Sequence, residues 1–281
     1  MVSDTAVPRA LVWATDIDVM AADRVVDRRD GYLVVRSPSH PAFYWGNLLL
    51  LDEPPAAGDG PRWERWFDAE FGSDPRVRHR TFAWDTVDGS IGQAREEFVS
   101  NGYELEETVG LLGTPEGIQP HFRENRDVVV RAVEPDADEG LWEQVVELQV
   151  ASRAEQFEEA AYREFCRQRL ADHRALFRAG RGAWYVALYP DENEVVGSCG
   201  VVVTAGRGRF QAVDTAAAHR RTGICSRLVV DAAQRAADVH GARRLVIAAD
   251  PNYHALGLYE SLGFRRAERV AGVFQPLRSG A

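Results

Sequence analysis

The stretch His219-Arg220-Arg221-Thr222-Gly223-Ile224-Cys225-Ser226 sets two arginines and a glycine directly ahead of the apolar run Leu228-Val229-Val230. These residue types at this spacing suit a phosphate group. A helix start carries unpaired backbone N–H groups and a partial positive charge, and both attract an anion. Gly223 permits close backbone approach, Arg220 and Arg221 add charge, and Ser226 adds a hydroxyl in the first turn. The ending Gly-Lys-Ser/Thr of a Walker loop is missing, and so is the Gly-x-Gly-x-x-Gly pattern of a dinucleotide turn. On these residues alone, a solvated basic turn and a phosphate cradle are both open.

The flanking sequence supplies the elements that such a turn needs. "GRFQAVDT" reads as a strand running into it, and "GICSRLVVDAAQRAADVHG" as a helix leaving it. Ile224, Leu228, Ala232 and Val239 recur near helical spacing, and Gly241 ends the helix. Upstream come the strand "RDVVVRAVEP" and the helices "EGLWEQVVELQVASRA" and "EEAAYREFCRQRLADHRALFRAG", the latter stopped at Gly180. The strands "GAWYVALYP" and "EVVGSCGVVVTAG" then flank a turn at Asp191-Glu192-Asn193. This order predicts a mixed α/β (α+β) sheet domain.

The first half echoes the last. "REEFVSNGYELEETVGLL" (95–112) and "LGLYESLGFRRAERVAGVF" (256–274) both read as an amphipathic helix, a left-handed glycine cap and an aromatic that opens a strand. Gly102-Tyr103 matches Gly263-Phe264, and each unit follows a strand-like run ending in Asp, at Asp85 and Asp250. The first half opens with a hairpin about Asp30-Gly31 and continues with a strand closed by Pro54-Pro55 and a short helix with Pro61 near its start. "GTPEGIQPHFREN" (113–125) interrupts every periodicity, so the domains are expected at 1–120 and 121–281. "YWGN" (44–47) reads foremost as packing.

Composition narrows the function classes. A chain of 281 residues is comfortable for two domains. The net charge of −10 argues against sequence-independent nucleic-acid binding, which needs a basic face; the basic residues are all arginine, a compositional bias without mechanistic meaning. Cys166, Cys199 and Cys225 lack paired spacing, so neither a disulfide framework nor a zinc site is expected. The early acids argue against a signal peptide, and "NLLLL" (47–51) is far short of a membrane span. A cytoplasmic protein without membrane or metal partners is the expectation, its oligomeric state open.

The loop and a second stretch together carry a resemblance. Arg220-Arg221-Thr222-Gly223-Ile224-Cys225 resembles the coenzyme A pyrophosphate loop of the GNAT superfamily of N-acetyltransferases, Arg/Gln-x-x-Gly-x-Gly/Ala, with Cys225 larger than the pattern has. Ahead of it, Thr215-Ala216-Ala217 replaces the family's Thr-x-Pro. Downstream, Asn252, Ala255, Leu258, Tyr259, Gly263 and Phe264 fit the family's Asn-x-x-Ala-x-x-Leu-Tyr-x-x-x-Gly-Phe. The resemblance covers about 126–275, and the echo implies a tandem protein: two GNAT-like mixed-sheet domains with flanking helices, the first a degenerate copy lacking the pyrophosphate loop.

What the resemblance implies is acetyl transfer from acetyl-CoA to a small-molecule or peptide amine, by direct attack in a ternary complex. Val213 and Thr215 on the strand, Arg220 to Ser226 in the loop, and Asn252 and Tyr259 downstream are the expected cofactor contacts. Tyr259 is expected to protonate the departing thiolate, since a phenol of pKa about 10 is a donor at neutral pH; core packing and, for Asn252, helix capping are the alternatives. The strand position where many members carry a basic Glu is Gln211, which cannot take a proton. Asp214, Glu147, Glu155, Glu158 or a water chain remain for the base, strict alternation turning Asp214 away from the face of Gln211, and His219 is expected to meet phosphate or solvent. Two rival readings stay open: an acyl-CoA-binding sensor that has lost turnover, and acetylation of a low-molecular-weight thiol's amine, as in mycothiol synthases.

Overall fold

The computed structural model describes residues 7–154, 157–190, 193–252 and 255–276. Asp191, Glu192, Tyr253, His254 and the candidate base Glu155 lie outside the described residues. In chain order the elements are α1 (Leu11–Asp18), β1 (Val25–Arg29), β2 (Tyr32–Arg36), β3 (Leu48–Leu51), α2 (Asp59–Phe71), β4 (His79–Trp84), α3 (Ala94–Glu97) and β5 (Glu104–Gly113). There follow β6 (Val129–Val133), α4 (Glu139–Ala151), α5 (Glu159–Arg178), β7 (Gly182–Leu188), β8 (Val195–Thr204) and β9 (Arg207–Thr215). The last are α6 (Ile224–His240), β10 (Arg244–Ala249), α7 (Ala255–Ser261) and β11 (Arg265–Pro276). Among the described residues no helix is long and apolar enough to cross a membrane.

Two compact units divide the chain: Met1–Gly110 with Ala248–Asn252 and Ala267–Ala281, and Leu111–Ile247 with Tyr253–Arg266. The contiguous division at 120/121 expected from sequence is therefore not the observed one. The first unit ends at Gly110, and most of β11 returns to it. A strand's pairing partner is set by tertiary register, so the return of a late segment leaves no local mark in composition.

In the first unit β1 and β2 form the hairpin about Asp30-Gly31, with Gly31 at φ 85°. β2 pairs antiparallel with β3, β3 runs parallel to β4 across the helix α2, and Ala271–Pro276 of β11 closes antiparallel on β4. Period-two alternation sorts the side chains into two cores. Val34, Leu49, Phe82 and Trp84 meet Trp63, Phe67 and Phe71 of α2. Leu33, Leu48, Leu50 and Ala83 meet Val12 and Trp13 of α1. The "YWGN" segment is packing: Trp45 stacks on Trp13 at 5.7 Å, and Asn47 Oδ1 accepts from Ser37 N at 3.0 Å.

The second unit runs β6–β7–β8–β9 antiparallel, with β10 parallel to β9 through the crossover helix α6. β8 is buried nearly throughout, packed by α6 and by α4 and α5, and so reads as an unbroken apolar run. The buried stripe of α6 holds Ile224, Leu228, Ala232 and Ala236 and ends there; Val239, expected on it, is 71% exposed in the last turn. Gly241 caps the helix at φ 70° as expected.

The echo holds at its glycines. Gly102 and Gly263 take φ 89° and 109°, and each precedes a buried aromatic, Tyr103 or Phe264. The helix expected before Gly102 is shorter than read: α3 has four residues and is followed by a 3-10 turn at Val99–Asn101. A further echo had no sequence signature. Gly58 before α2 and Gly223 before α6 both take φ 85° and ψ 2° at the N-cap. At α2 the cradle holds an internal anion: Gly58 N and Gly60 N donate to the Glu97 carboxylate at 2.7 and 3.0 Å. A ligand anion would have to displace it.

Those two backbone donors hold the Glu97 carboxyl below its ordinary pKa. A lowered carboxylate pKa stabilises the fold above the unfolded-state value near 4.3, and this contribution fades as pH falls through the folded value. Glu97→Gln should lower the melting temperature near pH 7 and flatten the stability loss on acidification. Thermal melts from pH 3 to 7 check this; a variant melting like the wild type at every pH would show that the contact stabilises nothing.

Candidate active site

A cavity of about 460 Å³ lies at the start of α6. Val213, Asp214 and Thr215 of β9 form one wall, and Ala255, Leu258 and Tyr259 of α7 another. His219, Arg220, Arg221 and the helix start Gly223–Ser226 close the basic end. The strand, loop and helix singled out in the sequence thus meet at one place. Two expected positions stand apart: Thr222 and Asn252 are not among the lining residues. The Thr222 hydroxyl donates to the His219 carbonyl at 2.6 Å. The Asn252 N–H donates to Asp250 Oδ1 at 2.7 Å.

The loop geometry explains its residues. Arg221 at φ 63° and Gly223 at φ 85° turn the chain into α6. A Cβ at residue 223 would lie 2.0 Å from the Arg123 carbonyl oxygen, so only glycine fits. The contact comes from the segment (113–125) read as the domain boundary. Asn125 N donates to the Gly223 carbonyl at 3.2 Å, and Asn125 Nδ2 to the Thr222 carbonyl at 3.2 Å. His121 and Arg123 of the same segment line the cavity. Sequence reading missed both, because glycine and proline around them mark a boundary and say nothing of where it folds.

A β-bulge places the acid. Gly200 of β8 faces Gln211 while Ser198 faces Asp214, so two steps on β8 match three on β9. Ala212 takes up the extra residue at φ 41°. Strict alternation would turn Asp214 from the face of Gln211; the bulge returns both to one face. Gln211 is not part of the cavity wall and accepts from Arg169 Nη2 at 3.3 Å. Asp214 is part of it. Loss of water pushes its carboxyl up to about 6, against the lowering by a hydrogen bond from the Ser152 side chain and by the Arg220 charge. Ser152, at the end of α4, is a further lining residue without a sequence signal.

Two of the other carboxylates named from sequence, Glu147 and Glu158, are engaged on helix surfaces. Glu147 pairs with Arg163, and Glu158 caps α5 by accepting from Ala160 N and Ala161 N at 2.9 and 2.7 Å. Those bonds hold Glu158 below the usual carboxylate range, and neither acid lines the cavity. Tyr259 is 5% exposed and packs edge-on to Phe264 at 6.3 Å, so it is both core and cavity wall. Burial raises the thiols of Cys225 to about 12 and Cys166 to about 11, and Cys199 rises as well. None of the three is a thiolate at neutral pH.

The sequence profile of the Acetyltransferase (GNAT) family matches residues 142–264. The fold is similar to that of a functionally unknown conserved protein from Staphylococcus epidermidis, at TM-score 0.72 and 13% identity over 91% of this chain and 95% of that one. A GCN5-related N-acetyltransferase from Kribbella flavida aligns at TM-score 0.64 and 15% identity, covering 96% and 95% of the two chains. A tandem GNAT protein from the clavulanic acid biosynthesis pathway aligns at 0.57 and 14%, covering 98% and 92%. No curated protein matches the sequence.

Gly223→Ala should combine a strained φ with the clash on the Arg123 carbonyl, at a cost of roughly 2–4 kcal/mol. Calorimetry should show a lower melting temperature, and hydrogen exchange should show faster exchange of the Asn125 amide. Unchanged exchange at Asn125 would contradict the close packing of segment and loop.

Proposed function

With residues 142–264 forming a domain of the acetyltransferase (GNAT) family, we propose that the protein is an N-acetyltransferase moving an acetyl group from acetyl-CoA to an amine by direct attack in a ternary complex. The start of α6 carries this reading. It has no side-chain cap and no acid in its first turn, and it opens beside Arg220 and Arg221 on a cavity of ligand size. The donor set is that of a pyrophosphate site: backbone N–H groups from Arg221 to Ser226 with two guanidinium groups would hold the diphosphate, and Val213 to Thr215 the pantetheine arm. Acetyl-CoA supplies the acyl group as an activated thioester.

The remaining chemistry is proton movement by this chain's own side chains. An amine acceptor arrives mostly as ammonium at neutral pH and must lose a proton before it can attack. Asp214 takes that proton on a carboxylate oxygen. With its pKa near 6 it is largely ionised at pH 7 yet basic enough to accept. The Ser152 hydroxyl orients the carboxylate by its hydrogen bond. Tyr259 Oη donates the proton to the leaving sulfur. The neutral thiols support direct attack over a covalent acyl-cysteine route. Gln211 at the family's base position favours a sensor without turnover; Asp214, on the same strand face and in the cavity wall, supports turnover instead.

A base must be deprotonated to work, so kcat/KM should rise with pH and level off above about 6. Asp214→Asn should lose about 10²- to 10⁴-fold and the rising limb with it. Tyr259→Phe should lower kcat while leaving coenzyme A affinity near wild type. Calorimetric titration should give one site per chain, because Glu97 occupies the corresponding cradle of the first unit. Acetyl-CoA failing to bind would sink the reading, and an Asp214→Asn enzyme with the wild-type pH profile would remove Asp214 as the base.

A further inference from the structure

We propose that the segment from Gln119 to Asn125 is the adenosine-binding wall of the cofactor site, with Phe122 as a stacking shelf for a purine base and Arg123 as a phosphate contact. The inference rests on the coenzyme A reading above and names residues outside the family motifs. Phe122 is 82% exposed, the highest fraction among the large exposed hydrophobics of the described residues. It does not sit on a loose loop. Gln119 N donates to the Leu262 carbonyl at 2.9 Å, Arg123 N to His121 Nδ1 at 3.1 Å, and Glu124 N to the His121 carbonyl at 2.9 Å. Asn125 then ties the segment to the phosphate loop through Gly223 and Thr222. The backbone therefore holds a phenyl ring out in water, at a hydrophobic cost that a ligand can relieve.

The surroundings of the ring specify the ligand class. Phe122 lies between His121 and Arg123, both of which line the cavity. The His121 ring is 4.4 Å from it at an interplanar angle of 36°, and the Arg123 guanidinium lies 5.1 Å from the ring centroid. The guanidinium lies over the phenyl ring, so a charge that can pair with a phosphate stands beside an aromatic surface on which a nucleobase can stack. Arg123 joins Arg220 and Arg221 among the residues that line the cavity, so three arginines border it. A base linked through ribose to a diphosphate at the loop falls within reach of such a shelf. The chemistry that fits is an adenine nucleotide rather than a bare pantetheine phosphate.

Calorimetric titration with coenzyme A, dephospho-coenzyme A and 4′-phosphopantetheine separates the contributions. Phe122→Ala should weaken coenzyme A and dephospho-coenzyme A alike by roughly five- to tenfold and leave 4′-phosphopantetheine unchanged, and Phe122→Trp should restore the loss. Arg123→Ala should weaken coenzyme A most at low salt and flatten its salt dependence. Wild-type affinity for coenzyme A in Phe122→Ala, or an equal loss for 4′-phosphopantetheine, would overturn the shelf while leaving the cofactor reading intact. Wild-type protein that binds none of the three would overturn the cofactor reading and the shelf together.

Discussion

The first amide groups of an α-helix have no partner inside the helix, and each must find one elsewhere. How this chain meets that requirement organises both units. Asp85 accepts from Arg9 N and Ala10 N at the start of α1, and Glu268 from Leu11 N and Val12 N one step further in. Glu97 accepts at α2 and Glu158 at α5. Glu158 is the local cap of its own helix, but Asp85, Glu268 and Glu97 come from distant parts of the chain, so closing those helix starts also fixes tertiary structure. α6 breaks the pattern: its first turn is free of acid and side-chain cap, and arginines stand before it. The two crossover helices α2 and α6 begin with the same backbone turn, yet one is met by a carboxylate of the chain and the other has neither a side-chain cap nor an acid in its first turn.

The β-bulge at Ala212 is the second organising feature, and it marks where sequence reading succeeds and fails. The loop, its helix and the Gly-aromatic junctions at 102–103 and 263–264 were legible because each rests on a local requirement, a glycine at positive φ beside a periodic apolar run. The face of Asp214 was not legible. An alanine at φ 41° carries no sign of a bulge, and one inserted residue inverts every later assignment along the strand. Ser152, His121 and Arg123 reach the cavity by tertiary folding alone. Their neighbours in sequence are a helix end and a glycine-proline boundary, which describe where regular structure stops and not what it then touches. The return of β11 to the first unit was hidden for the same reason.

The division of labour between the motifs is also clearer in three dimensions. Gly223 is required by the Arg123 carbonyl at its back, so it serves the packing of the segment as much as the turn into α6. Tyr259 serves core and cavity at once, its ring against Phe264 and its position on the wall shared with Leu258. Reading either residue as purely structural or purely chemical would miss that the same packing which buries it also fixes its place.

The ion pairs of the protein share one chemical trait. Arg29 with Glu70, Arg80 with Asp68, Arg174 with Glu139 and Arg266 with Glu260 are forked guanidinium–carboxylate contacts, others such as Arg227 with Asp231 are single, and no lysine occurs in the chain to supply an ammonium instead. A guanidinium stays protonated and its nitrogens are not nucleophilic at neutral pH. On the proposed acetyl transfer, the protein thus presents no ε-amine of its own to be acylated. Its surface charge is inert towards a thioester, so its ion pairs cannot be erased, one by one, by self-modification.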